Sequence, residues 1–178
     1  DFIICIASRA VAEKGWQEAV DAVTLANASS KRVIQLIMVG DGPEYERLNS
    51  SNLPNFIHLL GFQVNVRDFF NIADVGLITS TFRGESCPLV LIECLSVGKP
   101  VIASDIGEVS NMLATKTGMA GRVHQLNDWA IDVEEVAKII LDLSNSLQSY
   151  NSLKAHVLEA FSKFDHNVMI DNYIKVYE

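Results

Sequence analysis

Positive charge is scarce: 14 lysines and arginines stand against 22 acidic residues, and the 178-residue chain carries a net charge of −8. Neutralising a phosphate backbone needs a clustered basic surface, so nucleic acid is excluded as a partner. Cysteine is sparse as well. Cys5, Cys87 and Cys94 are odd in number and lack zinc-type spacing. Cys5 and Cys94 sit among apolar neighbours as small hydrophobes, which fits a reducing, cytoplasmic setting. Cys87 has no adjacent histidine or lysine to activate its thiol. His58, His124, His156 and His166 are scattered without ligand spacing and Asp-x-Asp does not occur, so no metal ligands are assigned. No apolar run approaches the length of a membrane span, and Asp1-Phe2-Ile3-Ile4-Cys5 has neither the basic flank nor the cleavage site of a signal peptide.

What the chain does have is a composition of 49% hydrophobic and 20% charged residues, enough for one substantial core. Short β-branched runs alternate with helical patterns, the signature of a parallel sheet wrapped by helices. Strands are expected at 1–7, 33–39, 56–60, 75–78 and 101–103, with a last one at Gly121-Arg122-Val123. Helices are expected at 16–28, from Pro43 to about Ser50, at 66–72 and at 88–97, the last stopped by Gly98-Lys99-Pro100. Val133, Val136, Ala137, Ile140 and Leu147 form a later helical stripe, and one or two amphipathic helices follow from Ser152. The fold class is therefore α/β: a doubly wound, mainly parallel, Rossmann-like sheet with helices on both faces and a helical C-terminal tail. A strand that opens so abruptly suggests a piece of a longer polypeptide.

In such a sheet ligands sit beyond the carboxyl ends of the strands. Glu85 to Pro88 is a loop of that kind. Pro88 lies near the first helical position and Ser86 or Cys87 can cap, so free N–H groups present the positive end of a helix dipole to an anion, phosphate above all. Glu93 lies five residues on, roughly 7 to 8 Å along the helix at 1.5 Å per residue. That distance matches a ribose next to a bound diphosphate. Among Ile92, Cys94 and Leu95 an unpaired carboxylate is costly, and ribose hydroxyls would supply its partner. Read alone, E-x7-E is better explained by a Glu93 solvated or paired with a structural cation and a Glu85 that offsets the dipole, and it is the surrounding motifs that reverse this. Arg9 and Lys14, at the carboxyl edge of the sheet, can converge on a diphosphate. Gly40-Asp41-Gly42-Pro43 lacks the third glycine of a dinucleotide fingerprint and reads as a tight turn.

Together, SRAVAEKGWQEAVDA, LIMVGDGPEYERL, IHLLGFQVNVRDFFNIADVGLITS, ESCPLVLIECLSVGKPVIASDIGEV and GRV resemble, in that order, the C-terminal half of the family-four, or group one, glycosyltransferases. The resemblance implies one half of a GT-B fold, with residues 1–178 as the nucleotide-sugar-binding domain and the acceptor domain N-terminal to it. It implies a nucleoside-diphosphate sugar donor, retention at the anomeric carbon, no metal or other cofactor, and a role in cell-surface polysaccharide or glycolipid synthesis. Membrane association would come only through the rest of the protein. Carried over by position, Arg9 and Lys14 bind the diphosphate, Glu85 approaches the sugar hydroxyls and Glu93 the ribose. Backbone amides of Ser86, Cys87, Leu89 and Val90 hold the distal phosphate, and Phe62 to Val64 border the base. Cys87-Pro88 replaces the family's frequent Phe-Gly, and Glu108 follows Gly107 where Gly-Gly is common; Glu108 is expected to face solvent. A sugar-nucleotide epimerase of similar fold and a noncatalytic binding subunit are the rival readings.

Overall fold

In the computed structural model, which describes residues 1–177, β1 (Phe2–Ala7) and β2 (Ile34–Val39) run parallel over their whole length, from Phe2 opposite Ile34 to Ala7 opposite Val39. β3 (Ile57–Leu59) extends the sheet beyond β2, and β4 (Val75–Ile78) pairs with the other edge of β1. β5 (Val101–Ser104) and β6 (Gly121–His124) complete a six-stranded, all-parallel sheet of order β3-β2-β1-β4-β5-β6. The four central strands, β1, β2, β4 and β5, are buried on both faces, which explains why they read as continuous apolar runs.

Alternation along β1 divides the core. Phe2, Ile4 and Ile6 pack with Trp16, Ala19 and Val23 of α1 (Trp16–Asn27) and with Val136 and Ile140 of α6 (Val133–Asn145). Cys5 and Ala7 face the opposite layer. There Phe70 of α3 (Val66–Ile72), Leu91 and Cys94 of α4 (Leu89–Ser96), Met112 of α5 (Val109–Leu113) and Ala160 of α8 (Val157–Ser162) cover the sheet. α2 (Pro43–Asn49) starts on its proline, α7 (Leu147–Lys154) is capped by Ser146, and α9 (His166–Tyr177) ends the described chain. Glu178, the last residue of the domain assigned from sequence, lies outside it. No described helix is long and apolar enough to cross a membrane.

The structure corrects four expectations. Pro88 is the N-cap of α4 rather than its first residue, so neither Ser86 nor Cys87 caps the helix. Leu147 does not continue the stripe of α6: Ser146 interrupts it with an extended backbone, and Leu147 is exposed at the start of the next helix. α7 opens at Leu147, where no separate helix was expected, whereas α8 and α9 are the two that start beyond Ser152 as expected. Finally, α5 and a small hairpin, β7 (Leu126–Asn127) with β8 (Ala130–Ile131), stand where no element was expected.

Candidate functional site

Between β1 and β4 the strand order reverses, so their loops leave in opposite directions and open a crevice at the carboxyl edge. The loops are stitched together at its base. Thr79 Oγ1 donates to the Gly15 carbonyl at 2.9 Å, and Thr81 N–H to the Glu13 carbonyl at 2.8 Å. Gly15 has φ +65°, and a Cβ there would lie 1.9 Å from the Thr79 oxygen, so only glycine admits this approach. Trp16, fully buried, donates its indole N–H to Ser8 Oγ at 2.9 Å and holds the end of β1 in place.

This stitching brings Lys14 and Glu85 into a hydrogen-bonded ion pair with side chains only 14% and 18% exposed. The Phe82 ring lies 5.2 Å from the Lys14 ammonium and covers it further. The pair lines a recess of about 30 Å³ with Thr79, Pro88 and Val90. A larger cavity of about 220 Å³ adjoins it, sharing Ala7, Ser8 and Val90, and is lined also by Arg9, Phe62, Gln63 and Glu93. The two glutamates thus face consecutive parts of one crevice. Glu93 is half-buried, and its carboxylate has no hydrogen-bonding or ionic partner among the described residues.

The amino end of α4 lies between them. Pro88 has an extended backbone (φ −67°, ψ 111°) and no side chain caps the helix. Leu91 N–H returns to the Pro88 carbonyl at 3.0 Å, while the N–H groups of Ser86, Cys87, Leu89 and Val90 have no partner among the described residues. Four outward donors and a helix dipole favour an anion at this point. The next loop braces this one: Glu108 N–H donates to the Ser86 carbonyl at 2.8 Å. Gly107, at φ +51°, approaches so closely that a Cβ would lie 2.3 Å from the Glu85 oxygen. The exposed Glu108 side chain accepts from Asn111 Nδ2 at 2.8 Å, away from the loop it braces.

Of the residues singled out in sequence, Arg9, Lys14, Phe62, Glu85, Val90 and Glu93 line the two recesses. Ser86, Cys87 and Leu89 are exposed at the mouth. Val64 is the correction: it is 92% exposed and lines neither recess, because the chain turns outward into α3, and Gln63 takes the wall position instead. Cys5 and Cys94 are buried, and burial pushes the Cys5 thiol up to about 12 and raises that of Cys94 as well, so both are inert. Thr79, Phe82 and Trp129 are site-forming residues that sequence reasoning missed. Thr79 falls inside one of the resembling stretches without a role of its own, and Phe82 lies between two of them. Trp129 occupies a turn position where a large aromatic signals nothing.

Six parallel strands in this order, with a two-part crevice at the reversal, define a Rossmann-like α/β domain of the kind that forms half of a GT-B transferase. Residues 1–146 match the family described as Glycosyl transferases group 1, and the chain belongs to that family. Among its relatives, TuaC of Bacillus subtilis, assigned as a teichuronic acid biosynthesis glycosyltransferase, is 36% identical over 107 residues, covering 58% of this chain and 25% of that protein. N-acetyl-alpha-D-glucosaminyl L-malate synthase of Bacillus anthracis is 26% identical over 112 residues, covering 61% of this chain and 28% of that enzyme. HepE of Anabaena, solved in complex with UDP-glucose, superposes with a TM-score of 0.75 at 22% identity, over 99% of this chain and 48% of that one. The chain therefore spans less than half the length of each.

Proposed function

We propose that this chain is the donor-binding, C-terminal domain of a retaining glycosyltransferase that uses a nucleoside-diphosphate sugar. The observation that carries this reading is Glu93. A half-buried carboxylate without a partner among the described residues faces a cavity that reaches Val90 at the amino end of α4. An unpaired charge so placed is held at a cost unless a ligand supplies donors, and two ribose hydroxyls would do so.

The other parts fall into line around it. The base lies against Phe62 and Gln63, the distal phosphate takes the N–H groups of Ser86, Cys87, Leu89 and Val90, and Arg9 and Lys14 meet the diphosphate. Negative charge grows on that diphosphate as the glycosyl bond breaks, and preorganised cations and N–H dipoles stabilise it without reorganising. Glu85 is placed to accept from hydroxyls of the transferred sugar rather than to attack it. The acceptor site belongs to an N-terminal domain of a longer, cytoplasmic protein, so this domain alone binds donor and transfers nothing. The teichuronic acid in the name of TuaC favours a cell-surface polymer as product, and the UDP-glucose held by HepE a uridine donor.

Calorimetric titration of the chain with UDP, GDP and ADP tests the reading, each repeated with Glu93→Ala. One diphosphate is expected to bind, and the variant to lose about 10- to 100-fold in affinity, the range for hydrogen bonds to a charged group. Equal binding by the two proteins would remove the ribose assignment.

A further inference from the structure

The β7–β8 hairpin closes with a two-residue turn, Asp128-Trp129, whose residues have φ values of 49° and 66°. Two consecutive positive φ angles are those of a type I′ turn, in which the second position is normally glycine. Here it holds tryptophan, in a backbone conformation that L side chains avoid. Such outliers persist where surrounding contacts over-determine them.

The contacts of Trp129 all lead to one place. Its indole N–H donates to the Thr81 carbonyl at 2.6 Å, and the Arg83 guanidinium stacks over its ring at 4.4 Å from the centroid. Arg83 pairs with no carboxylate among the described residues, so the indole face is its anchor. Thr81 and Arg83 flank Phe82, which covers Lys14 and whose carbonyl accepts from Glu85 N–H at 3.0 Å. On its other side the 79–81 segment is fastened to residues 13–15 by hydrogen bonds from Thr79, Ser80 and Thr81. The loop that carries Glu85 is therefore held from two directions, one of them a strained tryptophan beside the crevice.

Resting on the donor-domain reading above, we propose that Trp129 is a positioning residue for the sugar end of the donor: the hairpin straps the 81–85 loop so that Glu85 meets the glycosyl group in register. The strap acts on sugar recognition and leaves the nucleotide end, held by Glu93, untouched. Its backbone strain is retained for that purpose, since Asp-Gly would build the same turn more easily.

Trp129→Gly separates the two roles, because it removes the side chain and relieves the strain together. Wild type, Trp129→Gly and Trp129→Phe are titrated with UDP, UDP-glucose and UDP-N-acetylglucosamine, alongside thermal melts and amide exchange of residues 79–86. The expected result is UDP affinity within about two-fold of wild type and loss of at least five-fold of the extra affinity that a sugar confers. Exchange should quicken at 81–86, and the Trp129→Gly melting temperature should be equal or higher. A lowered melting temperature with parallel losses for all three ligands would show a merely structural fastening and overturn the proposal. So would variants that keep the sugar increment, unchanged exchange at 81–86, or a wild type that gains nothing from either sugar. Should GDP or ADP bind in place of UDP, the same titrations are run with that diphosphate and its sugar conjugates; failure of wild type to bind any of the three is a different result, and removes the donor-domain reading together with this one.

Discussion

Lys14 and Glu85, 71 residues apart in sequence, form one ion pair that ties the loop after β1 to the loop after β4. Each carries a different duty in the proposed site, the lysine toward phosphate and the glutamate toward sugar, and without ligand each satisfies the other.

Breaking that pair from one side leaves a largely buried charge without a partner. Lys14→Ala and Glu85→Gln are each expected to lower stability by about 1–3 kcal/mol, measured by urea unfolding. In the double variant Lys14→Ala/Glu85→Gln the loss should be smaller than the sum, since the second substitution removes the stranded charge. Strict additivity would mean that the pair contributes nothing.

Phosphate recognition by backbone can be tested without touching the helix. Leu89 is the first residue of α4 and is 70% exposed, and the preceding Pro88 is already extended, as a residue before proline must be. Leu89→Pro should therefore fold normally, because proline is well tolerated at the first helical position, yet it deletes one free N–H. Diphosphate affinity should fall about 10-fold or more, as for loss of a charge-assisted hydrogen bond. Unaltered affinity in a folded variant would take the phosphate away from this helix end.

His124 should make stability pH-dependent. It is fully buried, with Nε2 at 3.3 Å from Ser104 Oγ and Nδ1 without a partner among the described residues. Burial lowers its pKa from the ordinary value, against weaker upward pulls from the Gln125 backbone, Asp132 and Asp105. With the folded pKa below the unfolded value of about 6.5, the unfolded chain takes up the proton first on acidification. Its contribution is complete above about pH 6.5 and is lost as the pH falls through the folded value. Urea midpoints between pH 7.5 and 5 should decline for wild type and decline less for His124→Gln, and equal slopes would exclude the histidine.

Much of the fold was legible in the chain. The central strands announced themselves as β-branched runs because both their faces are covered, and α3 was expected at the bounds it occupies, Val66–Ile72. α5, five residues long, offers too little periodicity to detect. The hairpin escaped because its turn carries tryptophan where the usual signal is glycine. Within the site, the pitch of α4 already placed Glu85 and Glu93 at successive points along one direction. Nothing local, however, showed that Glu85 meets Lys14, that Val64 turns outward while Gln63 turns in, or that Trp129 reaches Thr81.

By itself the sequence determined most of the strands and helices, and roughly how far Glu93 stands from the start of its helix, since these follow from side-chain chemistry and fixed backbone geometry over a few residues. Only the tertiary structure decided which side chains share the crevice. That depends on the reversal of strand order between β1 and β4 and on glycines that let loops from distant parts of the chain touch. Contacts of that kind are long-range, and no short stretch of residues encodes them.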